Sequence, residues 1–214
     1  MSLSKPKSDH VAKIPELYFW IANNDNYCNT RNIKGCESLA DLDATPRDCK
    51  EILKFARKIG VPQKNIIRDV NPTKKELNES FKTLKKECIE LSQEKKPHIV
   101  FIYFGGHGAS IKEQQLYLLN SENPKEATFN LEQKARSLTG DFSLTKVFAI
   151  YDCCRVPLEH IKELNKLYVG KGIEVVVDDF AATVVRYTHI QACGPGGIAE
   201  ADGGFAKRFH DFAE

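Results

Sequence analysis

Two short apolar runs, each ending in reactive side chains, constrain this chain more than anything else in it. The first, Ile99 to Phe104, stops abruptly at Gly105-Gly106-His107-Gly108. An unbroken run of aliphatic and aromatic residues without helical period reads as a strand covered on both faces. Its end in glycines leaves His107 as the one polar side chain presented at a sheet edge. The second run, Val147-Phe148-Ala149-Ile150-Tyr151, passes into Asp152-Cys153-Cys154-Arg155. If the two strands are parallel neighbours, their ends lie about 4.8 Å apart. An imidazole and a thiol then converge. A nearby imidazole lowers a thiol's pKa and can later protonate a leaving amine, so this is a candidate site for nucleophilic catalysis.

Composition narrows the setting. The chain has 214 residues, enough for one large domain with a substantial core. Its 31 Lys and Arg nearly balance 29 Asp and Glu, net +2. That balance points neither to nucleic acid nor to a membrane surface. The seven cysteines are scattered, with no CxxC pair, and suggest neither zinc nor a redox motif. The first ten residues, MSLSKPKSDH, lack the apolar core of a signal peptide, and no apolar run reaches the roughly 18 residues of a membrane span. The expectation is a soluble cytoplasmic protein with reduced thiols.

Residues 1–14 are polar and read as a flexible tail, with one domain over 15–214. Leu17 to Ala22 is a strand feeding the loop Asn23-Asn24-Asp25-Asn26, and Trp20 belongs to the core. Thr45-Pro46-Arg47-Asp48 predicts a helix start with Thr45 as cap. Ile52, Phe55, Ala56 and Ile59 then form its apolar stripe before Gly60 ends it. Asn65 to Val70 is a short strand. Thr73 and Glu76 form a capping box, followed by the stripe Leu77, Phe81, Leu84, Cys88 and Leu91. After the His107 strand come a strand at Gln115 to Leu119, a helix at Phe129 to Leu138 and the strand Thr145 to Tyr151. The pattern weakens from Val156, with an apolar run at Ile173 to Val177, a β-type run at Thr183 to Ala192 and a helix from Phe205 to Phe212. This order predicts a mostly parallel sheet with helices on both faces, and a ligand site at the strand C-terminal ends.

At these residues the chain resembles the caspase-fold cysteine peptidases. Gly106-His107-Gly108 is similar to their GHG motif, and Asp152-x-Cys154-Arg155 resembles the D-x-C-R of paracaspases more than the D-x-C-H-S-G of metacaspases. Cys154 follows His107 by 47 positions, against about 50 in caspases. The resemblance runs from Leu17 to the helix at Phe205 and implies a three-layer αβα caspase-like fold. It makes Cys154 the nucleophile and Cys153 a packing residue. It implies an oxyanion hole from the backbone N–H groups of Gly108 and Cys154. Cys28, Cys36, Cys49, Cys88 and Cys193 are read as packing or surface residues.

Where caspases carry Gln two residues before the nucleophile and bind aspartate, this chain has Asp152, an acid that repels aspartate and favours Lys or Arg. Likeness to paracaspases adds Asp48 and Glu200 as further acids of the first specificity pocket. The expected reaction is cleavage of peptide or protein substrates after arginine, with lysine second. No cofactor is expected, and no metal: Ile111 to Asn120 offers only Glu113 where metacaspases have a calcium-binding acidic cluster. The resemblance also implies a last strand, beyond the Phe205 helix, that pairs with a second copy. The sequence stops at Glu214, so a fragment or shortened form is expected, and a homodimer stays open. Self-cleavage at Lys162, Lys166 or Lys171 is a further expectation. The rival readings are a catalytically inactive caspase-like interaction module, a metacaspase-type peptidase, and a legumain-like enzyme, which Asp152 does not suit.

Overall fold

A computed structural model of the chain describes residues 15–111, 114–141, 144–154, 156–157, 161, 164 and 187–191. Its centre is a five-stranded parallel sheet of β1 (Glu16–Asn23), β2 (Ile66–Val70), β3 (His98–Gly106), β7 (Thr145–Cys153) and β9 (Tyr187–Gln191), in the order β2-β1-β3-β7-β9. A smaller sheet, in the order β6-β5-β4-β8, combines β4 (Gly108–Ile111), β5 (Gln114–Leu118), β6 (Thr128–Phe129) and β8 (Val156–Pro157). The predicted strand near Gln115 therefore exists, but pairs antiparallel with β4 outside the central sheet. A hairpin allows only this: antiparallel strands join through a tight connection, whereas a parallel pair needs a crossover.

Alternation along the central strands sorts side chains onto two faces. Phe19, Ile21, Tyr103 and Ile150 pack with Cys49, Ile52, Phe55 and Ala56 of α1 (Thr45–Lys58). Trp20, Ile102, Phe104, Tyr151 and Cys153 lie on the opposite face, with α2 (Lys74–Gln93) and α3 (Leu131–Asp141). The result is the three-layer αβα arrangement.

The helix starts differ from each other. At α2 the capping box is complete: Glu76 N–H donates to Thr73 Oγ1 at 3.2 Å and Thr73 N–H to Glu76 Oε2 at 2.7 Å. The predicted stripe Leu77, Phe81, Leu84, Cys88 and Leu91 is buried throughout. At α1 the cap is Ala44, not Thr45, and no side chain caps the helix. Thr45 is instead the first helical residue, buried against the sheet, where a Cβ on Gly105 would approach its Cγ2 to 2.9 Å. Packing outweighed a cap worth about 1 kcal/mol. Helix α3 starts two residues later than predicted because Phe129 is taken into β6, and it continues to Asp141.

The tail 1–14, the Ile173 run, the Phe205 helix, Cys193, Glu200 and the three lysines proposed for self-cleavage lie outside the described residues. The β-type run near Thr183 is described from Tyr187, as β9.

Candidate active site

The strand order reverses between β1 and β3: the chain leaves β1 for β2 on one side and returns to β3 on the other. Such a reversal opens a crevice at the strand C-terminal ends, because the following connections diverge to opposite faces. Three chain segments meet there, the loop after β1, the His107 turn after β3 and the Cys154 end of β7.

The β3–β7 register ends at the pair Gly106↔Cys153. His107 and Cys154 each follow this last pair by one residue, at the ends of two strands spaced about 4.8 Å apart. Cys153 belongs to β7 and is buried among the apolar residues of the α2/α3 face, whereas Cys154 follows the strand and is partly exposed. Pleating therefore separates two adjacent thiols that composition alone cannot distinguish.

His107 is half-buried. Its Nε2 lies 2.9 Å from the carbonyl oxygen of Ala40. A carbonyl only accepts, so Nε2 carries the hydrogen and Nδ1 holds the free lone pair of the neutral ring. Loss of hydration pushes the His107 pKa below the usual imidazole range. The Ala40 hydrogen bond opposes that shift, Arg31 adds to it and Asp41 opposes it. The ring packs against Tyr27, centroids 4.6 Å apart at 57°. The His107 N–H donates to the Tyr27 hydroxyl at 2.7 Å.

Of the expected pocket acids, Asp48 and Asp152 lie on the α1 side. Gly105 and Asp152 are Cα partners, and Asp152 Oδ2 accepts from the buried Tyr103 hydroxyl at 3.1 Å. Burial raises the Tyr103 pKa well above its ordinary value, and the charges of Asp152, Cys49 and Asp48 reinforce the rise. Asp48, in the first turn of α1, is 6% exposed. The structure thus brings Asp48 and Asp152 to one buried tyrosine, while Glu200 is outside the described residues. Gly105 makes the approach feasible, since a Cβ there would come within 3.0 Å of the Tyr103 hydroxyl.

Tyr27, Ala40 and Tyr103 escaped the sequence reading. Ala40 acts through its carbonyl, which no side chain announces. Tyr27 and Tyr103 read as generic aromatic residues until the fold sets Tyr27 against His107 and Tyr103 against Asp152. Gly108 opens β4, opposite Tyr117. Among the described residues no group of three or more His, Cys, Asp or Glu side chains is placed to hold a metal ion.

Comparison with known proteins agrees with this arrangement. Residues 20–207 match the peptidase family described as the caspase domain. The structure is similar to the Drosophila initiator caspase Dronc, with a TM-score of 0.54 at 8% identity over 91% of this chain, which spans 63% of that chain. At that identity the likeness concerns the fold. A separate local similarity links 78 residues, at 36% identity, to elongation factor Ts of Actinobacillus pleuropneumoniae serotypes 5b and 3. It covers 33% of this chain and 28% of those relatives, too little to show a family. The match over most of the chain, on a parallel sheet that brings His107 and Cys154 to adjacent strand ends, shows that this protein belongs to the caspase-domain family of cysteine peptidases.

Proposed function

We propose that the protein is a cysteine endopeptidase using His107 and Cys154 as a dyad and cleaving after a basic residue, arginine before lysine, in the manner of paracaspases and metacaspases. The observation that carries the reading is the His107 ring, whose Nε2–H is spent on the Ala40 carbonyl, leaving Nδ1 as the base beside the strand that ends in Cys154.

In this mechanism Nδ1 takes the Cys154 proton, and the thiolate attacks the scissile carbonyl carbon. The N–H groups of Gly108 and Cys154 stabilise the oxyanion as negative charge develops. The imidazolium keeps its Nε2–H on Ala40 and returns the Nδ1 proton to the leaving amine. Water, deprotonated at the same nitrogen, then hydrolyses the thioester and frees Cys154. A ring below its ordinary pKa enters the cycle neutral at pH 7, as a base must.

Asp48 and Asp152, with Glu200 as a third acid, supply the pocket for the substrate cation. A guanidinium binds carboxylates through parallel charge-assisted hydrogen bonds, and acids lining a substrate pocket favour such a cation.

Fluorogenic peptides differing only in Arg, Lys or Asp before the reporter test the proposal. Turnover is expected in the order Arg, Lys, with Asp at background, and lost in Cys154→Ala and His107→Ala. Preferred cleavage after Asp overturns the pocket. Absence of turnover, together with a Cys154 that is alkylated no faster than Cys28, overturns the dyad in favour of an inactive interaction module.

A further inference from the structure

Tyr27 is fully buried although it lies in a loop, four residues beyond β1. Its polar atoms are all engaged. The hydroxyl donates to Asn24 O at 2.9 Å and accepts from the His107 N–H at 2.7 Å. The Tyr27 N–H donates to Asp41 Oδ1 at 2.8 Å, and Arg31 forms an ion pair with the same carboxylate. Arg31 Nε also donates to Leu39 O at 2.6 Å. Ala40, whose carbonyl takes the His107 Nε2–H, lies between these two anchored residues. Gly106 completes the fit, for a Cβ there would stand 2.7 Å from the Tyr27 hydroxyl.

Two ends of the histidine are thus held from one residue. Because Asn24 O can only accept, the Tyr27 hydroxyl has a single hydrogen-bonding sense, and its lone pair must face the His107 N–H. Through its own N–H, Tyr27 fixes Asp41, and with Arg31 it fixes the Leu39–Asp41 segment that presents the Ala40 carbonyl. We propose that Tyr27 is a positioning residue for His107, holding its backbone directly and, through the Asp41–Arg31 bridge, its ring in the tautomer with Nδ1 free. The inference rests on the dyad reading and names what keeps the base in register.

Tyr27→Phe retains the ring contact and removes both hydroxyl hydrogen bonds. In the folded variant kcat is expected to fall about 10- to 100-fold with KM within about twofold, since positioning acts on the reacting geometry and not on substrate binding. Arg31→Gln, which removes the bridge and a charge that lowers the His107 pKa, should move the acid limb of kcat/KM up toward the ordinary imidazole value of about 6.5. Among the described residues, the groups facing the ring that titrate or carry charge are Tyr27, Arg31, Asp41 and, from the end of β7, Cys154. Nitrogen-15 spectra of the His107 ring in Arg31→Gln, assigned by loss of its signals in His107→Ala, should pass from the Nε2–H tautomer to a mixture. Arg31→Lys, at a partly exposed side chain, should restore part of the Nε2–H form. A folded Tyr27→Phe with wild-type kcat overturns the proposal, as does a rise confined to KM or an unchanged ring tautomer in Arg31→Gln. If Tyr27→Phe does not fold, an unchanged tautomer in Arg31→Gln overturns it. The ring spectra decide the point even if wild-type protein turns over no peptide, an outcome that would count against the dyad alone.

Discussion

Partial burial favours the neutral ring of His107 and a carbonyl accepts its Nε2–H, and the pH dependence follows from the sign of the first effect. Its folded pKa lies below the unfolded value near 6.5, so the neutral ring is the form the fold prefers. The associated stability is complete above pH of about 6.5 and is lost as pH falls through the folded pKa. The acid limb of kcat/KM is accordingly expected below about 6.5. Among the thiols, burial pushes Cys36 up to about 11 and Cys88 up to about 12, and drives Cys49 higher still. Iodoacetamide at neutral pH, read by peptide mass spectrometry, should therefore modify Cys154 first and exposed Cys28 second while sparing Cys36, Cys49 and Cys88. In the proposed pocket, Asp48→Asn or Asp152→Asn should lower kcat/KM for arginine peptides about 10- to 100-fold. That is the loss of one hydrogen bond to a charged group, roughly 1.5–3 kcal/mol.

Secondary-structure elements carry their own stability, and two of them make contrasting predictions. Thr73→Ala removes the cap of α2 and should cost about 1 kcal/mol in urea unfolding, whereas Leu84→Ala, at a fully buried position on the same helix, should cost about 2–5 kcal/mol. Strands β1 and β2 are tied to α2 through Asp69, which accepts from Trp20 Nε1 at 2.7 Å and from the Ser80 hydroxyl at 2.9 Å. Burial raises the Asp69 pKa, and the two hydrogen bonds pull it back without cancelling the rise. A carboxyl with a raised folded pKa gives stability below its unfolded pKa of about 3.9 that is lost as pH rises through the folded value. Asp69→Asn keeps an acceptor for Trp20 and a donor for Ser80 without the buried charge. It should flatten that part of the pH–stability curve, followed through Trp20 fluorescence.

Across the molecule, the site is a consequence of strand order. One parallel sheet, read β2-β1-β3-β7-β9, places its reversal between β1 and β3, and His107 and Cys154 lie beside that point. The glycines of β3 belong to the same design. Gly105 lies against Thr45 and Tyr103 on the α1 side, and Gly106 adopts φ +156° against Tyr27. Gly106→Ala would press its methyl into the Tyr27 hydroxyl and shift the residue that follows, His107. It should reduce peptide turnover far more than it lowers the melting temperature.

The linear sequence determined the local grammar. Apolar runs of strand length, the α2 capping box and stripe, and the two strand ends carrying His107 and Cys154 were all legible, because each depends on residues close together in the chain. Likeness to known motifs set Cys154 apart from Cys153 as the expected nucleophile, and the fold buries Cys153 while leaving Cys154 partly exposed. What the sequence could not reveal depends on residues brought together from afar. Thr45 reads as a cap until Gly105 offers it a packing site, and Tyr103 reads as core until Asp152 arrives opposite Gly105. Ala40 has no polar side chain to signal a role, yet its carbonyl selects the tautomer of a histidine 67 residues away. Backbone groups look alike at every position in a sequence. Only the tertiary structure decides which of them faces a reactive side chain.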